Sequence, residues 1–166
     1  MIVSTFIFTA LAYSFPLNFT AEQEYNARIV VDQARALGED PHYLMATAWV
    51  ESRLIGSRVS TTGDYGIFQI NYRFWGRLWG FTDKDKFWLN MLNPNHATVA
   101  AVIVLKEMRR YKACKGAALP ACYNGGPAWE KSKNRGKIEK YAAKVNLMMN
   151  YYRRSFPAWK TDKNIK

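Results

Sequence analysis

Glu51 lies near the end of an apolar helical run, and that segment constrains the chain more than any other. Asp40 is a capping residue and Pro41 suits the first helical position. Leu44, Ala48 and Val50 to Leu54 then continue the run until Gly56 stops it. Glu51 therefore falls in the last turn and a half of a helix, beside Trp49, Val50 and Leu54, with Thr47 and Ile55 one turn away on its own face. A lone glutamate near a helix end is ordinarily a solvated surface charge. Here the apolar flank removes water from the carboxylate and the negative end of the helix dipole further opposes ionisation. Glu51 is expected to keep a proton near neutral pH.

The rest of the chain also reads as helix. Thr20 and Gln23 form a capping box ahead of Ile29, Val30, Ala34 and Leu37, and Gly38 ends that helix. Ser57 to Asp64 is polar and turn-like, and Asn71 to Trp79 begins a short helix, while Thr82 to Leu92 carries no clear pattern. Pro94 opens a helix with Ala97, Ala101, Val104, Leu105 and Met108 on its apolar face. Gly116 to Tyr123 reads as a short helix weakened by Pro120, and a long helix spans about Gly136 to Arg154. Strands and helices do not alternate, so the expected fold is mainly α, one domain over residues 19–156, with a short hairpin or loop after the helix of Glu51.

The formal charge of +11, from 24 Lys and Arg against 13 Asp and Glu, points to a polyanionic partner. Much of the excess lies in Lys131, Lys133, Arg135, Lys137, Lys140, Lys144 and a basic tail at 157–166. That distribution is a diffuse attractive surface with no helix-turn-helix, zinc-finger or RNA-binding signature, so no nucleic-acid partner is expected. His42 and His96 stand apart, and neither a metal site nor a cofactor is expected. Cys114 and Cys122 read as buried thiols, with a short-span disulfide as the alternative in an oxidising compartment. Residues 1–18 are uncharged. Their apolar stretch and Ala10-Leu11-Ala12 suit a signal segment without its basic start, or else an arm packed on the domain. They are too short to span a bilayer.

The chemistry-bearing residues lie in separate segments. After Glu51 come Gly63-Asp64-Tyr65-Gly66-Ile67-Phe68-Gln69-Ile70-Asn71, then Cys122-Tyr123-Asn124-Gly125-Gly126, then Tyr141. The first string reads as a hairpin with Ile67, Phe68 and Ile70 buried, in which Gly66 admits close backbone approach and Gln69 presents an amide. One carboxylate among aromatics, amides and phenols suits cleavage of a sugar polymer, where a proton must reach the leaving oxygen while charge on the ring is stabilised. Six tryptophans are more than a core of this size requires. Within the cluster Tyr72, Phe74, Trp75, Trp79, Phe87 and Trp88, Trp75 and Trp79 are the candidates for stacking on a sugar face.

In this order, Glu51-Ser52, Gly66-Ile67-Phe68-Gln69, Cys122-Tyr123-Asn124 and Tyr141 resemble the motifs of bacterial and phage lytic transglycosylases of the soluble lytic transglycosylase family, within the lysozyme superfamily. Leu92-Asn93-Pro94-Asn95 and the Ala-rich helix after it resemble the region between the second and third motifs. The resemblance runs from about Ala21 to Met149, and Cys122 replaces the usual alanine. It implies a lysozyme-like α(+β) domain. It further implies that Glu51 protonates the β-1,4 bond between N-acetylmuramic acid and N-acetylglucosamine, then acts as base to yield a 1,6-anhydromuramyl product. Ser52 and Gln69 would orient the N-acetyl group, Tyr123 and Asn124 would line the groove, and Tyr141 would hydrogen-bond Glu51.

Asp64 keeps a second reading open, because its setting also resembles animal-type lysozymes, in which a second carboxylate supports hydrolysis. The absence of their disulfide framework and the presence of the late Tyr123 and Tyr141 elements favour the transglycosylase. A non-catalytic wall-binding component is the rival of another class, opposed by the intact Glu51, Gln69, Tyr123 and Tyr141. The expected site of action is the cell wall, outside the cytoplasm, in the periplasm, the medium or a phage virion. The partner is peptidoglycan, with a virion or a secretion or conjugation apparatus as candidate hosts.

Overall fold

The computed structural model describes residues 18–159. Among them the order is α1 (Ala21–Ala36), α2 (Pro41–Ser52), β1 (Asp64–Tyr65), β2 (Ile70–Asn71), a π-helical turn (Tyr72–Gly76), α3 (Lys84–Leu92), α4 (Pro94–Met108), α5 (Leu119–Gly125) and α6 (Arg135–Ser155). The mainly α, lysozyme-like fold expected from the sequence is the fold observed. The segments at 1–17 and 160–166, with the expected arm or signal and most of the basic tail, lie outside the described residues.

The helix starts follow their capping chemistry. Thr20 and Gln23 form the reciprocal capping box of α1, at 3.2 and 2.9 Å. Asp40 caps α2 by accepting the His42 N–H at 2.9 Å, and the same carboxylate accepts Arg153 of α6 at 2.5 Å. Leu44, Met45, Ala46 and Ala48 are wholly buried, so α2 is apolar around its circumference and runs between α1 and α6. The carboxylate at its far end thus stands on the most enclosed helix.

Several boundaries differ from expectation. Instead of reaching Gly56, α2 ends at Ser52, because Arg53 (φ 59°) and Leu54 (φ 62°) are left-handed. That conformation costs about 1–2 kcal/mol per residue, offset by full burial of the Leu54 side chain and by hydrogen bonds from Gln23 and Asn26 of α1 to the Arg53 and Leu54 carbonyls, at 2.9 and 2.7 Å. Ile55 is consequently not on the helical face of Glu51. Pro120 starts α5 rather than weakening it, since a first-turn position has no helical N–H to lose. The undecided stretch 82–92 contains α3, capped by Asp83.

Two further expectations are corrected. Cys114 and Cys122 are joined in a disulfide, with Cα atoms 5.6 Å apart, rather than being buried thiols. The 3-10 turns at Lys112–Cys114 and Gly116–Ala118 fold the intervening chain back on α5 and bring the two within bonding reach. Trp159, assigned to the tail, is buried and stacks on Phe156 at 4.4 Å, so the packed domain extends past residue 156.

The small sheet sets the geometry beside α2. Asp64 pairs with Asn71 and Tyr65 with Ile70, antiparallel, across the connection 66–69. Gly66 has φ +76°, and a Cβ there would lie 2.3 Å from the Met91 carbonyl oxygen, so no other residue fits without moving α3. Ile67, Phe68 and Ile70 are buried, as the hairpin reading requires.

Candidate active site

Beside the hairpin is a cleft of about 490 Å³ whose walls include Glu51, Ser60, Asp64, Gln69, Asn71, Trp75, Tyr123 and Asn124. Segments far apart in the chain meet there because α2, the sheet, α5 and α6 pack on one core. The lining is rich in carboxylate, amide and hydroxyl groups, as a ligand covered with hydroxyls requires.

Glu51 opens on this cleft from the end of α2. Its Oε1 accepts a hydrogen bond from the Tyr141 hydroxyl of α6 at 2.6 Å. Burial raises the Glu51 pKa, the Tyr141 hydrogen bond opposes that rise, and the charge of Asp64 adds to it; the net result is a carboxyl pushed up to about 7. Burial, together with the charge of Glu51, pushes the Tyr141 phenol well above its ordinary value. Tyr141 therefore remains a donor at every pH at which Glu51 titrates.

Gln69 is held in the left-handed region (φ 47°), a conformation that needs support. Two adjacent backbone carbonyls are gripped from different helices. The Ser52 hydroxyl donates to Ile67 O at 2.8 Å, and the Tyr123 hydroxyl donates to Phe68 O at 2.8 Å. The Gln69 amide nitrogen then donates to Arg58 O and Gly66 O, at 3.0 and 2.9 Å, so the nitrogen is spent on backbone and the amide oxygen is not. Ser52, expected to orient the N-acetyl group, lies behind the cleft wall. Its side chain is buried and spent on Ile67 O and Ala48 O, so it positions the hairpin and does not reach the cleft.

Asp64 faces the same cleft with both oxygens engaged. Its Oδ2 accepts Ser60 at 2.6 Å and Thr62 at 2.5 Å, and its Oδ1 accepts the Asn71 amide at 2.7 Å. Three neutral donors fix an anion in place without cancelling its charge. Ser60 and Thr62 were not singled out in the sequence, although the Ser-x-Thr-x-Asp spacing is that of a side-chain-capped turn.

Residues 29–146 of the chain match the family model of the transglycosylase SLT domain. The chain belongs to that family. No curated protein matches it. Members of the SLT family are lytic transglycosylases that cleave glycosidic bonds of peptidoglycan, so this SLT protein is an enzyme whose substrate is the cell wall and whose place of action is outside the cytoplasm. Among the described residues no helix is long and apolar enough to cross a membrane, and no group of three or more His, Cys, Asp or Glu is set to hold a metal ion.

In the SLT protein the aromatic candidates separate. Trp75 lines the cleft, whereas Trp79 does not; it tilts against Trp75 at 5.6 Å and lines a neighbouring groove. Trp79 thus packs behind Trp75 and away from the cleft. The π-helical turn, capped by Asn71 through a 3.1 Å bond from the Phe74 N–H, gives Trp75 its direction. Asn124 is exposed on the cleft wall next to Tyr123, and the Cys114–Cys122 bridge anchors the helix that carries both. Arg58 and Val104 also line the cleft, and no sequence pattern distinguished them. The side chains of Lys131, Lys133, Arg135, Lys137, Lys140 and Lys144 are exposed, as a solvated basic face.

Proposed function

We propose that Glu51 is the single catalytic acid and base of this transglycosylase and that the product ends in 1,6-anhydromuramic acid. The observation that carries this reading is a carboxyl with a pKa of about 7 on a polar cleft, oriented by a phenol that cannot itself ionise in the same range. A proton on Glu51 at neutral pH is what the leaving oxygen between N-acetylmuramic acid and N-acetylglucosamine needs. As the C1–O bond breaks, Glu51 gives up that proton and positive charge develops on the muramyl ring. The carboxylate then takes the proton of the C6 hydroxyl as the C6 oxygen bonds to C1 and closes the anhydro ring. The acid is regenerated and no water is consumed. The Gln69 amide oxygen and Asn124 would orient the N-acetyl groups, Tyr123 and Trp75 would bound the sugar, and Asp64 would favour the developing cation electrostatically.

A hydrolase using Glu51 with Asp64 is the second reading, favoured by the position of Asp64 on the same cleft. Against it, both Asp64 oxygens are occupied by hydrogen bonds, which suits a fixed anion better than a nucleophile or a base for water. A compact borer in a virion or a secretion or conjugation apparatus fits the small domain and its positive charge. Mass spectrometry of muropeptides released from purified peptidoglycan separates the readings. Anhydromuramyl ends are expected, absent with Glu51→Gln; reducing ends, one water heavier, would make the enzyme a hydrolase.

A further inference from the structure

The outer face of α6 is not accounted for by the cleft. The helix packs on the core through Ile138, Ala142, Val145 and Tyr152, which are buried. Away from them, at steps of three and four residues, stand Lys137, Lys140, Lys144, Leu147, Tyr151 and Arg154, all exposed. Such steps keep side chains on one side of a helix, so the six form a single ridge about 26 Å long. Leu147 is 69% exposed and Tyr151 47%. An exposed leucine by itself is ordinary; here two large apolar groups stand in line with four cations. Glu139, the one acidic residue of α6, is spent on Arg135 at 2.7 Å. Among the described residues none of the four ridge cations is in a salt bridge.

We propose that this ridge lays the enzyme on the anionic phospholipid surface of a bacterial membrane. Charge is the first argument. Lysine and arginine above anionic headgroups gain attraction without needing a fitted pocket. The apolar pair is the second. Leu147 and Tyr151 gain by leaving water for the headgroup and acyl boundary, with the tyrosine hydroxyl kept at headgroup level and the lysine stems lying along the surface. A water-soluble polyanion, such as a phosphate-rich wall polymer or a nucleic acid, would satisfy the cations and leave that pair in water. Shape is the third, because a straight ridge on the outside of a long helix meets a plane along its whole length. The cell wall on which the enzyme acts lies beside such a surface, outside the cytoplasm. Docking there would hold the cleft near its substrate, and it does not depend on how Glu51 cleaves the glycan.

Sedimentation of the full chain with vesicles tests this, using phosphatidylglycerol and phosphatidylcholine in equal parts against phosphatidylcholine alone. Wild type is expected to partition onto the anionic vesicles and not the neutral ones, less strongly as salt rises. Lys137→Gln, Lys140→Gln and Lys144→Gln combined should lower the partition coefficient about 100-fold, at about fivefold per lysine. Leu147→Asn with Tyr151→Asn should lower it about tenfold while leaving the charge unchanged. A wild-type melting temperature in both variants assigns those losses to the surface rather than to the fold. No partition of wild type onto anionic vesicles overturns the proposal. So does partition that the lysine variant loses and the Leu147, Tyr151 variant keeps, which is adsorption of a basic protein to any polyanion. Partition that both variants keep places the contact elsewhere on the chain and overturns it equally.

Discussion

The Tyr141 hydroxyl donates to Oε1 of Glu51 at 2.6 Å, joining α6 to the end of α2 across a separation of 90 residues. The bond favours the ionised carboxylate and so restrains a pKa that burial drives upward to about 7. With Glu51 as the acid, wild-type kcat/KM should fall as pH rises through about 7. Tyr141→Phe removes the restraint, so the alkaline limb should move to higher pH while the maximal rate drops about 10-fold, the value of one hydrogen bond to a charged group. A pH–rate profile of both proteins checks this, and an unmoved limb would count against the contact.

Stability should carry the same signature with a definite sign. The folded pKa of Glu51 exceeds its ordinary value of 4.5, so the native state binds the extra proton and stability declines as pH rises from about 4.5 to about 7. The decline amounts to roughly 3 kcal/mol at most. Glu51→Gln cannot lose that proton. Urea unfolding should find the variant more stable than wild type at pH 8 and close to it near pH 4.5. A pH-independent difference would mean that the carboxyl is not strained by burial.

Ser52→Ala separates positioning from substrate contact. Its hydroxyl donates to the buried Ile67 carbonyl, and loss of that bond should cost about 1–3 kcal/mol of stability. Because the side chain does not reach the cleft, KM should stay near wild type while the melting temperature falls. A large rise in KM at unchanged stability would instead return Ser52 to the sugar.

The disulfide lies one residue before Tyr123, whose hydroxyl holds Phe68 O. A short closed loop of this kind stabilises by about 2–3 kcal/mol. Cys114→Ala with Cys122→Ala should therefore lower the urea midpoint, and should reduce activity more than the lost stability explains as Tyr123 and Asn124 lose their anchor. Calorimetry and turnover on the same preparation test both statements.

The capping box at Thr20, the Asp40-Pro41 start of α2, the apolar face of α4 and the span of α6 were legible because each depends on residues within one or two turns. The motif order likewise carried the family, and with it the pairing of Tyr141 with Glu51. Other features depended on packing between distant segments. The left-handed pair Arg53-Leu54 is held by burial of Leu54 and by Gln23 and Asn26 of α1, which donate to its carbonyls, and Ser52 is buried where the hairpin's Ile67 O meets it. Trp75 and Trp79 are alike in sequence, yet the π-helical turn sends one to the cleft and the other behind it. The sequence by itself determined which helices form and which carboxylate is singled out, since propensity, caps and charge are local. Only the tertiary structure decided which side chains meet water, the cleft or backbone, because burial and hydrogen-bond partners belong to the packed assembly of elements.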